Sequence, residues 1–179
     1  MILTKHPPSE KNENMLEIIT VPTESLRKRS AEVDRDFLLS GETQHFIQGL
    51  IEAMHNDDGA GIASPQVGKN IRICIIGKSG IKLDKKTSIS QNEDLILVNP
   101  VWTKTSIRKE WDTEGCLSVP KTFGKVKRYR HIMVKALDIS GKEINFEAHN
   151  FFARVIQHEI DHLDGVLFID KAKNIYEVD

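Results

Sequence analysis

The chain has 179 residues, 39% hydrophobic and 28% charged, which is enough apolar material for one buried core and the composition of an ordinary globular domain. Its 25 basic residues are matched by 26 acidic ones, so bulk charge points to neither a specific nucleic acid nor an anionic membrane as partner. No apolar run reaches the roughly 18 residues of a membrane span, and the opening MILTKHPPSEKNEN lacks the apolar core of a signal peptide, so a cytoplasmic protein is expected.

Residues 1–15 are polar with two prolines and predict a loose lead-in to a single domain over 1–179. Leu16 to Val21 reads as an edge strand and Thr23 to Arg29 as a helical turn. Between Thr43 and His55, the residues Phe46, Ile47, Leu50, Ile51 and Met54 recur at helical spacing and predict an amphipathic helix facing a core. The glycines and proline of Asn56 to Gly68 then stop that helix and allow tight backbone geometry. Ile71 to Ile76 is a β-branched run that predicts a buried strand, with Cys74 as a small buried hydrophobe. The polar stretch Asp84 to Asp94 predicts a mobile loop. Strands are expected at Leu95 to Val98, Val101 to Ile107, Ile132 to Asp138 and Glu143 to Glu147, the last two joined by a hairpin turn at Ser140-Gly141.

The most informative stretch is Phe151 to Gly165, FFARVIQHEIDHLDG. Asn150 is a candidate N-cap, Phe151, Phe152, Val155, Ile156 and Leu163 recur at helical spacing, and Gly165 suits a left-handed stop. On a helix, His158 and His162 lie on one face roughly 6 Å apart, close enough for both to hold one metal ion. Glu159 then sits beside the open position of that metal, where it can accept a proton from a water. A catalytic metal normally takes three protein ligands. The metzincin position for a third histidine is Phe168, and the chain reaches Asp179 without room for the second helix of a thermolysin-like site, so the third ligand is expected upstream. Cys116, in the loop-like TEGCLSVP, offers a thiolate, a strong ligand for a divalent metal. With no internal repeat and no second composition regime, the fold class is α+β: a single domain with small antiparallel or mixed sheets packed around a central metal-ligand helix.

Three segments read together, Gly59-Ala-Gly-Ile-Ala-Ser-Pro-Gln66, Glu114-Gly-Cys-Leu-Ser118 and His158-Glu-Ile-Asp-His162 running into Leu163-Asp-Gly165, resemble in order and spacing the signature motifs of peptide deformylases. The likeness runs from about Leu16 to Asp170. It implies a hydrolase that removes the N-formyl group from nascent chains beginning with formylmethionine. The metal it implies is Fe2+, with Zn2+, Ni2+ or Co2+ able to take the same ligands. Carried over by position, Cys116, His158 and His162 are the implied metal ligands, Glu159 the general acid and base, and Gln66 with the backbone N–H of Leu117 the oxyanion hole. Two departures stand out: Ala60 replaces a larger aliphatic residue, and Phe123 stands where some deformylases carry an arginine near the substrate.

An apolar pocket for the first side chain is expected from Phe151, Val155 and Ile62, although core packing explains the same residues equally well. Ala60, Gly61 and Gly115 lack bulky side chains, so an extended peptide can add to the backbone there as a strand. Glu114 is expected to form a buried ion pair with Arg128 that holds the Cys116 loop. Lys121, Lys125, Lys127, Arg128 and Arg130 offer a basic patch for a transient ribosome contact, and a solvated strand face explains the same run. Two other functions are compatible with the histidine helix: a metallopeptidase cutting ordinary peptide bonds, and a module whose metal only staples the fold. The Cys116 motif weighs against the first, and Glu159 and Gln66 against the second.

Overall fold

The computed structural model describes residues 16–178. The expected lead-in at 1–15 lies outside the described residues. A 3-10 turn at Glu24–Arg27 precedes two helices, α1 (Arg35–Leu39) and α2 (Gly41–Asn56). Ser40 caps α2 by accepting from Thr43 N at 3.2 Å. A short strand, β1 (Gly61–Ala63), runs into a 3-10 turn over Ser64–Val67, and β2 (Ile73–Ile76) and α3 (Lys78–Ile81) follow. The remaining elements are β3 (Leu95–Lys104), β4 (Lys109–Cys116), β5 (Val119–Tyr129), β6 (His131–Leu137), β7 (Glu143–His149), α4 (Asn150–Leu163), a 3-10 turn at Phe168–Asp170 and β8 (Lys173–Glu177).

Two antiparallel sheets result, one ordered β1-β2-β3-β6-β7 and the other β4-β5-β8. Alternation along β1 and β2 sets the layers. Ile62, Ile73 and Ile75 pack with Leu50 and Met54 of α2, whereas Ala63, Cys74 and Ile76 pack with Phe152, Ile156 and Ile160 of α4. The five-stranded sheet therefore lies between the two long helices. The other flank of α4 faces the smaller sheet, so every residue from Phe152 to Leu163 is buried except the partly exposed His158. Single-domain α+β architecture around a central helix is the expected one, and both sheets are antiparallel throughout.

Several local expectations need correction. Leu16 to Val21 is extended but joins neither sheet: Ile19 N donates to Gln66 O and Val21 N to Ser118 O, bracing the segment against the cleft instead. The two strands expected over 95–107 are one, β3, with a bulge between Val98 and Val101. Asn99 there adopts a φ of +50° and pairs its side chain with both Val33 N and Val33 O. The 84–94 segment is irregular as expected, yet Asp84 is buried and accepts from His149 N at 2.8 Å. Asn150 is the first residue of α4, with a φ of +51°, rather than its N-cap, a position taken by His149. Gly165 does provide the left-handed stop, at φ +75°, and a Cβ on it would lie 2.5 Å from Arg27 O.

Candidate active site

The β4–β5 hairpin and α4 meet at three ligand-competent side chains. Cys116 ends β4, and its pairing with Val119 makes Leu117-Ser118 a tight turn. His158 and His162 point from α4 with ring centroids 5.0 Å apart, and Cys116 Sγ lies 3.2 Å from His162 Nε2. One ligand atom from each of Cys116, His158 and His162 falls within 4.8 Å of the others, and this is the one such group among the described residues. A thiolate and two imidazoles converging at that spacing fit a divalent transition metal.

The residues behind this group orient it. Glu114 Oε2 lies 3.0 Å from His158 Nδ1, which leaves Nε2 of that ring as the free ligand atom. The expected Glu114–Arg128 pair is present and bidentate, with Arg128 Nε and Nη2 each 2.9 Å from a carboxylate oxygen. The network extends further than the sequence suggested. Arg154 Nη1 donates to Glu114 Oε1 at 2.6 Å, Arg128 Nη1 donates to Asp161, and Lys171 Nζ reaches both oxygens of Asp161 at 2.6 and 2.7 Å. Arg154 and Asp161 had a legible signal, since they stand at i−4 and i+3 from His158 and so share its helix face.

Burial works against the charge on Glu114, but the hydrogen bonds from Arg128 and His158 outweigh it and hold this carboxyl far below the usual range. Burial also opposes a charged His158; the Cys116 sulfur and Glu114 overcome that and raise it to about 10 when no metal competes for the ring. His162, buried and beside that positive charge, is pushed well below its ordinary value. Glu159 is pushed the other way: burial lifts its carboxyl to about 7 against the lowering effect of His158. Its Oε2 is buried with no hydrogen-bond partner among the described residues. A side chain in that condition has an unused acceptor at the centre of the site.

Gln66 sits on the 3-10 turn after β1, almost fully buried. Its Oε1 accepts from Ala63 N at 2.9 Å, which fixes the amide so that Nε2 faces the cluster, 3.2 Å from Ser118 Oγ and 3.6 Å from Cys116 Sγ. Gly61 makes room on the opposite side: a Cβ there would lie 2.6 Å from Glu159 Oε1. These groups open into a cleft lined by Ala60, Gly61, Gly115, Leu117, Phe151 and Val155, all expected at the site. Ile62 is the exception. Alternation along β1 turns it away from α4 into the α2 core, where it is fully buried, so it is a packing residue and not part of the cleft. Phe123, given no role by sequence, does line the cleft.

A protein-family model described as polypeptide deformylase matches residues 15–177. The chain belongs to the polypeptide deformylase family. Among curated deformylases it is 43% identical over 157 residues to peptide deformylase 1 of Vibrio vulnificus strain YJ016, covering 87% of this chain and 85% of that one. It is 40% identical over 158 residues to the peptide deformylase of Thermodesulfovibrio yellowstonii, covering 88% of each. The crystal structure of peptide deformylase from Thermotoga maritima superposes with a TM-score of 0.78 at 32% identity, covering 89% of this chain and 98% of that one. The deformylase fold is thus present over nearly all of the described chain, and no helix in the described residues is long and apolar enough to cross a membrane.

Proposed function

We propose that this chain is a metal-dependent hydrolase that removes the N-formyl group from the formylmethionine of nascent polypeptides, releasing formate. The observation that carries this reading is the convergence of Cys116, His158 and His162 with Glu159 and Gln66 at one end of a glycine-walled cleft. We assign Cys116, His158 and His162 as metal ligands, Glu159 as general acid and base, and Gln66 with the Leu117 backbone N–H as donors to the formyl oxygen. A divalent ion held by the three ligands supplies Lewis acidity, lowering the pKa of a water toward ~7. Fe2+ is the proposed physiological ion, and the same soft thiolate and two imidazoles suit Zn2+, Ni2+ or Co2+.

Glu159 removes one proton from the attacking water as its oxygen bonds to the formyl carbon. The formyl oxygen gains negative charge in that step, and the Gln66 amide, already locked by Ala63 N, is oriented to donate to it. Loss of one such donor costs ~2.7 to 4 kcal/mol of barrier. Glu159 then passes the proton to the amine as the C–N bond breaks, leaving formate and a free amino terminus.

The peptide lies between the edges of β1 and β4 as an added strand, along Gly61 and Gly115. Its first side chain points toward Phe151 and Val155. Nascent chains place the activity in the cytoplasm beside the ribosome. The surface proposed for that contact is the outer face of the small sheet, which keeps Lys125 and Lys127 of the run expected from sequence, whereas Arg128 is buried against Glu114 and drops out of it. Lys127 and Lys173 flank Trp111 there, with Lys109 over Tyr129, and none of these lysines has a carboxylate partner among the described residues.

Formate release from a formyl-methionyl tripeptide by anaerobically purified, iron- or nickel-loaded protein tests the assignment, beside Glu159→Ala and an unformylated peptide. Turnover lost in the variant with metal retained is expected. Cleavage of the unformylated peptide would instead identify a peptidase.

A further inference from the structure

β4 is one of the two edges of the small sheet, the one on the side of the cleft, and its residues alternate between two faces. Glu114 points inward to Arg154 and His158 of α4. Gly115 therefore belongs to the opposite, outward face. Across the sheet, Gly115 pairs with Phe123 and Phe123 with Tyr176, so these three form one cross-strand row. The Phe123 ring leans over the glycine: a Cβ on Gly115 would lie 2.7 Å from Phe123 Cε1 and 2.9 Å from Cδ1. Tyr176 stacks behind it, with ring centroids 5.9 Å apart and planes 25° from parallel. Phe123 is partly buried and lines the cleft.

A peptide added to the β4 edge extends this row by one position. Its first side chain points inward to Phe151 and Val155, so strand alternation turns its second side chain outward, onto the row of Gly115, Phe123 and Tyr176. Gly115 contributes no side chain to that row, which leaves the edge of the Phe123 ring as the neighbouring surface.

We propose that Phe123, seated over Gly115 and backed by Tyr176, forms a subsite for an aromatic or large aliphatic side chain on the second residue of the formylated peptide. Phe123 touches the substrate, and Tyr176 is a positioning residue that acts through it. The proposal rests on the deformylase reading and on the strand-like pose of the peptide. It gives β8, which carries none of the metal or proton chemistry, a part in substrate choice.

Initial rates of formate release from formyl-Met-Phe-Ser and formyl-Met-Ser-Ser, at concentrations well below KM, test it. The wild type is expected to favour the phenylalanine peptide about fivefold, the size of an aromatic pair contact. Phe123→Ser should bring the ratio near one. Tyr176→Ala and Phe123→Leu, which keep Gly115 covered, should give intermediate ratios if Phe123→Ser does not fold. Equal rates on the two peptides in the wild type, or a ratio that survives both Phe123→Leu and Tyr176→Ala, would overturn the subsite while leaving deformylation intact. No formate from either peptide by metal-loaded wild type would remove the deformylase reading and the subsite together.

Discussion

Glu114 and Arg128 form a two-armed ion pair, 2.9 Å in each arm, and the same carboxylate also holds Arg154 and the metal-proposed ring of His158. The three arginine contacts are buried and the His158 contact partly so, and Glu114 thereby sets both the position of the Cys116 hairpin against α4 and the tautomer of His158. Removing Arg128 would leave Glu114 undercompensated in the interior. Arg128→Ala is expected to cost about 3 to 5 kcal/mol of stability by denaturant unfolding. It should also weaken metal binding about 10- to 100-fold in a chelator competition. Unchanged metal content and activity would mean that the network does not govern the site.

Glu159→Gln keeps the shape of the side chain and removes its basicity. Formate turnover should fall about 10²- to 10⁴-fold with metal content retained. A variant that keeps most of its turnover would show that another group moves the proton.

Gly61 packs closely against Glu159. A methyl group 2.6 Å from Oε1 and 2.9 Å from the Cδ and Cγ atoms cannot be accommodated without moving the carboxylate. Gly61→Ala should therefore lower turnover through kcat while costing only about 1 to 3 kcal/mol of stability, the usual range for an overpacked site. A rise in KM at constant kcat would instead locate the effect in peptide binding.

In metal-depleted protein, burial holds Glu159 at about 7, above its ordinary value of 4.5. The folded chain then binds this proton more tightly than the unfolded chain. Glu159 thus contributes stability that is fully present below 4.5 and is lost as pH rises through about 7. Unfolding free energies of the metal-depleted wild type and Glu159→Gln should diverge across this window, with the wild type losing more. Parallel pH profiles would contradict the raised carboxyl.

Metal binds only the folded site in this picture, so chelation should lower the melting temperature, by an amount equivalent to ~2.7 kcal/mol when free metal stands at 100 times Kd. His162→Ala should melt at the same temperature with and without chelator. A chelator response that persists in the variant would point to metal held elsewhere.

Helix α2 and the β6–β7 hairpin were legible because each buries one apolar face, so periodicity and turn residues report them directly, and β2, buried on both faces, was legible as a continuous β-branched run. Strands β4 and β5 were not. Their inward face carries Glu114 and Arg128 in a buried ion network, and their outward face carries Lys109, Lys125 and Lys127, so no apolar alternation marks them. β8 is exposed along its length and gives no apolar signal either. The ligand helix was readable from two histidines and a glutamate at fixed spacing. Ile62 was misplaced because motif membership says nothing about which face of a strand a residue takes, and the role of Phe123 depends on a neighbour, Tyr176, that is distant in sequence.

Gln66 and Cys116 are 50 residues apart, and Cys116 and His162 another 46, yet all three meet within hydrogen-bonding reach of the same sulfur. Both of those long loops must close to assemble the site, and α4 alone carries half of the chemistry. A partly assembled chain thus holds no weaker version of the active enzyme. Catalytic competence switches on only when the hairpin and the helix have docked, so specific activity in a preparation counts finished molecules rather than grading how well each one has formed.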